Sequence, residues 1–319
     1  MAMTPRSQSK RILSKTQIVV QSIGFLLGAA LLGWCIWIAV DQGDWSRVGA
    51  AEPRLVLGLA GFTLASLLAN AVIFWVVIQP VKHVRLRDMT WLIFVTGLLN
   101  YAPIRVGLVA RVVYHLRVDR LKALEIAAWF AAIGVTLLIA LAALFSATIV
   151  RPEADWLWLT FVLAQISIMA VVLRVLMRHP LWATHGRGID RMLRSHTVLW
   201  GAIGLRLIDV AALTGRMWCA AAIMGLAFTP SQIVILSIAS LSFSLIPLGR
   251  IGYREAGVAF VAGLLAAGEV TAASLDAQMI QLALIESAGE AIVFIPLGLA
   301  ALPWYWKRMA KSTRRSSSH

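Results

Sequence analysis

Two stretches of this chain decide its fold: Leu99-Asn-Tyr-Ala-Pro-Ile-Arg-Val-Gly107 and Ser244-Leu-Ile-Pro-Leu-Gly-Arg-Ile-Gly252. Each sets Pro, Arg and Gly in the middle of an apolar region. Proline removes a helix hydrogen bond and clashes with the preceding turn, and arginine is costly in hydrocarbon. The repetition, about 145 residues apart, points to one site built from two related halves. Interrupted membrane helices in corresponding halves mark the substrate site of many transporters.

The surroundings of these stretches are those of a polytopic membrane protein. Of 319 residues, 60% are hydrophobic and only 14% are charged, with a mean hydropathy of +0.82. A soluble domain carries about 25% charged residues. The net charge of +14 is concentrated in short loops between apolar runs, where it orients the chain in a membrane. Nucleic acid is therefore not expected as a partner. Cys35 and Cys219 lie within apolar runs, with no spacing for a metal or a disulfide framework, and no cofactor is expected. Arg6, Lys10, Arg11 and Lys15 precede an apolar run over 18–40 that is too long for a signal-peptide core, so it reads as an uncleaved first span.

A bilayer core of about 30 Å needs roughly 20 apolar helical residues. Six segments meet that length: 17–40, 54–79, 122–150, 156–177, 198–225 and 276–302. Regions 89–117 and 231–267 do not, because the interruptions cut each into arms of roughly a dozen residues, which reach about halfway across at 1.5 Å per residue. The expected fold is all-α: six transmembrane helices plus two re-entrant broken-helix hairpins. The alternative is eight to ten spans. Three full crossings per half would invert the second half relative to the first. The expected organisation is a basic N-terminus (1–16), a first repeat (17–150), a second, inverted repeat (156–302) and a basic tail (303–319).

Loop charge fixes the orientation. Lys82, Arg85, Arg87, Arg111, Arg117, Arg120 and Lys122 fall on one side, with the bases of 174–194 and 307–315. The other side has Arg47, Arg54 and Arg151 beside five acids. Both termini are therefore expected in the cytoplasm. Trp156, Trp158, Trp304 and Trp306 read as interface anchors, and Glu125 as a first-turn helix charge.

Several charges fall where a membrane disfavours them. Arg105 sits at the first break; Arg250, Arg254 and Glu255 sit at the second. Arg206, Asp209 and Arg216 lie on the fifth span, and Glu286 and Glu290 on the last. Arg206 and Asp209, three apart, share a helix face and can pair. Each charge at a helix centre costs about 2.5–3.5 kcal/mol even on lenient scales, so the set must face a polar interior. Two readings are open. Arg206–Asp209 and Arg254 with Glu286 or Glu290 form locking salt bridges, or the arginines meet a lipid phosphate while the carboxylates serve as counter-charges or proton relay. Arginine suits phosphate through its bidentate fork. The histidines, His115 among them, fall in predicted loops or tails, and no P-loop, metalloprotease motif or catalytic triad is present.

At the two breaks the sequence resembles the transmembrane domain family of lysylphosphatidylglycerol synthase/flippase and its stand-alone relatives. Asn100, Pro103, Gly107 and Arg111 match a motif Asn-x-x-x-Pro-x-x-x-Gly-Glu-x-x-Arg with one residue of slack before Pro103; Leu108 stands in place of its Glu. Pro247, Gly249, Gly252, Arg254 and Glu255 match Pro-x-Gly-x-x-Gly-x-Arg-Glu in full. The resemblance implies a bacterial inner-membrane protein that moves a lipid with an anionic or glycosylated headgroup between leaflets. It also implies relatives associated with hopanoid pathways, with lipid-biosynthesis enzymes as possible partners. The expected substrate contacts are Asn100, Arg105, Arg250, Arg254 and Glu255. Pro103, Gly107, Pro247, Gly249 and Gly252 supply the backbone breaks. No aminoacyl-transferase domain follows the last span, so no enzymatic activity is expected. The alternatives are an enzyme acting on a lipid or polyprenyl phosphate and a non-catalytic member of a lipid-synthesis complex.

Overall fold

The computed structural model describes residues 15–102, 106–179, 188–245, 252–266 and 272–316. It is all-α, and its long elements repeat one order twice. The first half holds α1 (Lys15–Gln42), α2 (Pro53–Ile78), the short α3 (Leu86–Leu99) and α4 (Val106–Arg117), and α5 (Ala123–Val150). The second holds α6 (Trp156–Leu176), α7 (His196–Ile223), the short α8 (Pro230–Ser244) and α9 (Tyr253–Ala266), and α10 (Ala272–Ser316). Six of these are long and apolar enough to cross a membrane: α1, α2, α5, α6, α7 and α10. The protein is a multi-pass membrane protein.

The short helices form the two hairpins. They have 14, 12, 15 and 14 residues, about 18–23 Å at 1.5 Å per residue, too short for a core of about 30 Å. In the first, Gly107 abuts Asn100 and Arg111 reaches Thr96, so α4 folds back along α3. In the second, Gly257 abuts Phe243 and Gln232 reaches the carbonyl of Leu265. The breaks themselves, with Pro103, Arg105, Pro247, Gly249 and Arg250, lie outside the described residues.

The halves meet along α2 and α7, which run antiparallel. Gly58 lies against Cys219, Phe62 against Gly215, Ser66 against Asp209, and Val76 against Gly201, so the partners descend as the numbers rise. Small residues let membrane helices approach closely where no hydrophobic driving force separates lipid from protein. Antiparallel corresponding helices are the mark of an inverted repeat. The packing obeys the same relation: α2 on α3 matches α7 on α8, α3 on α10 matches α8 on α5, and α5 on α6 matches α10 on α1. It fails at the periphery, where α1 packs on α9 as well as α10. α6 packs instead on α5 and the short helix Ile189–Arg194.

Local chemistry sets the helix starts. Pro53 and Pro230 occupy first-turn positions, where a missing N–H costs nothing. Asp155 caps α6 by accepting from the Trp158 N–H, and the Arg151 guanidinium beside it holds its carboxyl below the usual range. Glu125 accepts from the Lys122 N–H at the start of α5. Thr229 and Gln232 form a reciprocal capping box on α8, at 2.8 and 3.3 Å. Thr229→Ala is expected to lower stability by about 1 kcal/mol, read as a small fall in the unfolding midpoint in detergent.

The basic loops collect at one end of the molecule. Arg308 pairs with Asp88 at 2.9 Å, Trp304 stacks on Tyr114, and Gly188 lies against Val81. That end carries Lys82, Arg85, Arg87, Arg117, Arg120, Lys122, Arg191, Arg194, Lys307 and Lys311. At the opposite end, Arg47 and Arg151 are paired within their own loops with Asp44 and Asp155. The segment after 302, expected as a tail, continues α10 through Ser316.

Candidate functional site

A cavity of about 360 Å³ lies where the hairpins meet α2, α7 and α10. Asn100, Leu108 and Arg111 line it from the first hairpin; Ser240, Ser244, Leu245 and Arg254 line it from the second. Asn70 and Phe74 of α2, Asp209 and Arg216 of α7, and Glu290 and Phe294 of α10 complete the wall. The lining is thus amphiphilic, and its volume is that of a small-molecule site.

Most of its charges are used up by one another. Arg254 Nη1 donates to Glu290 Oε2 at 2.5 Å; its Nη2 donates to Glu286 Oε2 at 2.6 Å and to Ser287 Oγ at 2.5 Å. Arg216 faces the same two carboxylates, contacting Glu286 and lying 3.3 Å from Glu290. Ser287 donates in turn to Glu255 Oε1, whose other oxygen accepts from the Gly252 N–H at 2.7 Å. All five ionic side chains are buried, Glu286 completely. The salt-bridge reading therefore describes Arg254, with both glutamates rather than one, and with Arg216 as a second cation. Spacing explains this: Glu286 and Glu290, four apart, present one face to both α7 and α9.

A second cluster joins the halves. Arg206 Nη1 donates to Asp209 Oδ2 at 2.7 Å and to Asn70 Oδ1 at 3.2 Å. Asp209 Oδ1 accepts from Ser66 at 2.6 Å and from Asn70 Nδ2 at 3.1 Å. The Arg206–Asp209 pair expected on α7 is present. Ser66 and Asn70 were not foreseen, although two polar residues four apart in an apolar span were the available signal.

Arg111 is the main revision. It was expected among the loop charges, but α4 extends through Arg117 and turns Arg111 inward. Its Nη2 donates to Thr96 Oγ1 at 2.6 Å, and the guanidinium lies 4.3 Å from the centre of the Phe74 ring. Among the described residues no carboxylate pairs with it, and its Nε has no hydrogen-bond partner. His115, one turn on, is likewise helical and fully buried, not in a loop. It bonds Asp119 at 2.6 Å and packs edge-on against Trp129.

Compared with protein-family models, curated proteins and solved structures, the chain matches none. Of the expected contacts, Asn100 and Arg254 line the cavity and Glu255 stands behind Arg254; Arg105 and Arg250 lie outside the described residues. Gly107 has no room for a side chain against Asn100 and the Thr96 carbonyl, and Gly252 has φ +83°. Among the described residues, no three His, Cys, Asp or Glu side chains are grouped to hold a metal. Among the described residues, the arrangement offers a guanidinium without a carboxylate partner, amide and hydroxyl groups, and apolar walls: the chemistry to hold an anionic amphiphile.

Proposed function

We propose that this protein moves a lipid with an anionic headgroup between the leaflets of a bacterial inner membrane, both termini facing the cytoplasm. The observation that carries this reading is Arg111, an arginine on a cavity wall between membrane helices with no carboxylate partner among the described residues. A half-buried guanidinium on a cavity wall between membrane helices is stabilised by a counter-charge, and a headgroup phosphate supplies one through charge-assisted hydrogen bonds. Asn100 and the hydroxyls of Ser240 and Ser244 add neutral partners, suited to a glycosylated or glycerol headgroup. The apolar walls suit the adjoining glycerol and acyl carbons. The inverted repeat with broken hairpins at its centre supports transport, as does the resemblance to the flippase-like family. Basic loops gathered at one end support the orientation.

Purified protein in phosphatidylcholine vesicles, given phosphatidylglycerol labelled on one acyl chain, tests this by leaflet-specific quenching. Wild-type protein is expected to equilibrate the label. Arg111→Ala is expected to slow it roughly tenfold or more, the scale of one lost charge-assisted contact. The variant should remain folded, because it strands no carboxylate among the described residues. Equal rates for the two proteins would overturn the assignment.

A further inference from the structure

The inverted symmetry fails in one place that bears on the cavity. In the second half, α1 covers the outer side of α9: Tyr253 donates to the Gly24 carbonyl at 2.8 Å, and Gly252 lies directly on the Gly28 carbonyl. Cys35 and Ala39 of α1 are fully buried beside α9 and α10. In the first half, the corresponding helix α6 packs on α5 and leaves α4 to pack on α3, α5 and α10. The outer face of α4 is accordingly bare: Val106, Leu108 and Val109 are 37–42% exposed. Leu108 also lines the cavity, and so does Leu245 at the end of α8, which is 47% exposed. Two apolar side chains thus line the amphiphilic cavity and are exposed at the molecular surface at once.

We infer that the cavity opens sideways into the bilayer between α4 and the C-terminal end of α8, with Leu108 and Leu245 as the sill over which acyl chains pass. This rests on the transport reading. Apolar side chains exposed in hydrocarbon are at no cost there, and they give acyl carbons a continuous path from the bilayer to a cavity whose inner wall carries Arg111. The headgroup enters; the chains stay in the membrane. A cavity of about 360 Å³ has space for a headgroup and not for two full acyl chains, so selection acts on the headgroup charge and not on chain length.

The test uses full-length protein with Cys35→Ala and Cys219→Ala, carrying Leu108→Cys or Leu245→Cys. A bulky methanethiosulfonate is attached at each, and mass spectrometry verifies occupancy. Leu264→Cys, 63% exposed on α9 and not part of the cavity lining, is the control. Modification at 108 or 245 is expected to slow transport of labelled phosphatidylglycerol at least tenfold and to be reversed by dithiothreitol. Modification at 264 should have no effect. Labelled lipids with short and long chains should move at rates within twofold. Unchanged transport after modification at 108 and 245, or a strong dependence on chain length, overturns the portal alone. Absence of transport by the unmodified protein overturns the transport reading, and the portal with it.

Discussion

Arg254→Met is expected to cost about 3–5 kcal/mol and to remove most of the folded protein from the membrane, because it breaks a buried ion pair from one side. Two carboxylates would be left in a buried site with Arg216 as their remaining described cation. Glu286 has no solvent exposure and Glu290 only 1%, so the lost guanidinium leaves them poorly compensated. The loss should be repaired by charge balance. Arg254→Met with Glu290→Gln removes one positive and one negative charge together and leaves Arg216 facing Glu286. The double variant is expected to recover most of the midpoint lost by the single one, as read by size-exclusion chromatography of heated, detergent-solubilised protein. A single variant as stable as wild type would show that the network does not hold the fold. For the same reason Arg254→Ala is a poor probe of substrate binding, since misfolding and loss of a contact give one phenotype. Arg111 is the cleaner probe.

Gly252→Ala is the second large effect. The position has φ +83°, where a side chain is strained by about 1–3 kcal/mol. A Cβ there would also collide with the carbonyl oxygen of Gly28, and would lie 2.7 Å from its carbon and 3.0 Å from the Leu32 nitrogen. These are backbone atoms, so no side chain can swing aside. The substitution is expected to push α1 off α9 and uncover Cys35. In intact membranes, N-ethylmaleimide should label Cys35 slowly in wild type and at least about tenfold faster in the variant, the factor that about 1.4 kcal/mol of local opening gives. Cys219 should stay slow in both. Equal labelling of Cys35 would mean that α1 is not held by this contact.

The architecture was legible because a bilayer imposes a length. Six runs of 20 or more apolar residues became six helices, and two interrupted regions became four helices too short to cross. The expected inverted relation came from counting crossings, and α2 and α7 run antiparallel, as that count requires. What stayed hidden was pairing across elements. Arg254 had two plausible acids four residues apart, and nothing along the chain says that it takes both, or that Arg216 joins them. Arg111 looked like one more basic residue beside Arg117 and Arg120. Helical phase was the available signal, since Arg111 and His115, four residues apart, share one face of α4. Phe74, which stacks on Arg111, lies 37 positions away on another helix, beyond any local pattern.

The buried ionic network also constrains the order in which the chain can settle during synthesis. Arg216, Arg254, Glu255, Glu286 and Glu290 all belong to α7, α9 and α10, so the second half can neutralise these charges from its own residues. They do not emerge from the ribosome together. Arg206 leaves with Asp209 three residues behind it, already half of a pair. Arg216 must wait for Glu286, seventy positions later, which at about 5–20 residues per second is roughly 4–14 s. Through that interval α7, with a mean hydropathy of 1.5 the least apolar of the six spans, holds a cation with no acid yet made to meet it. Its lodging in lipid is thus provisional, completed only when α10 arrives, and truncation before residue 286 should leave α7 the first helix to slip out.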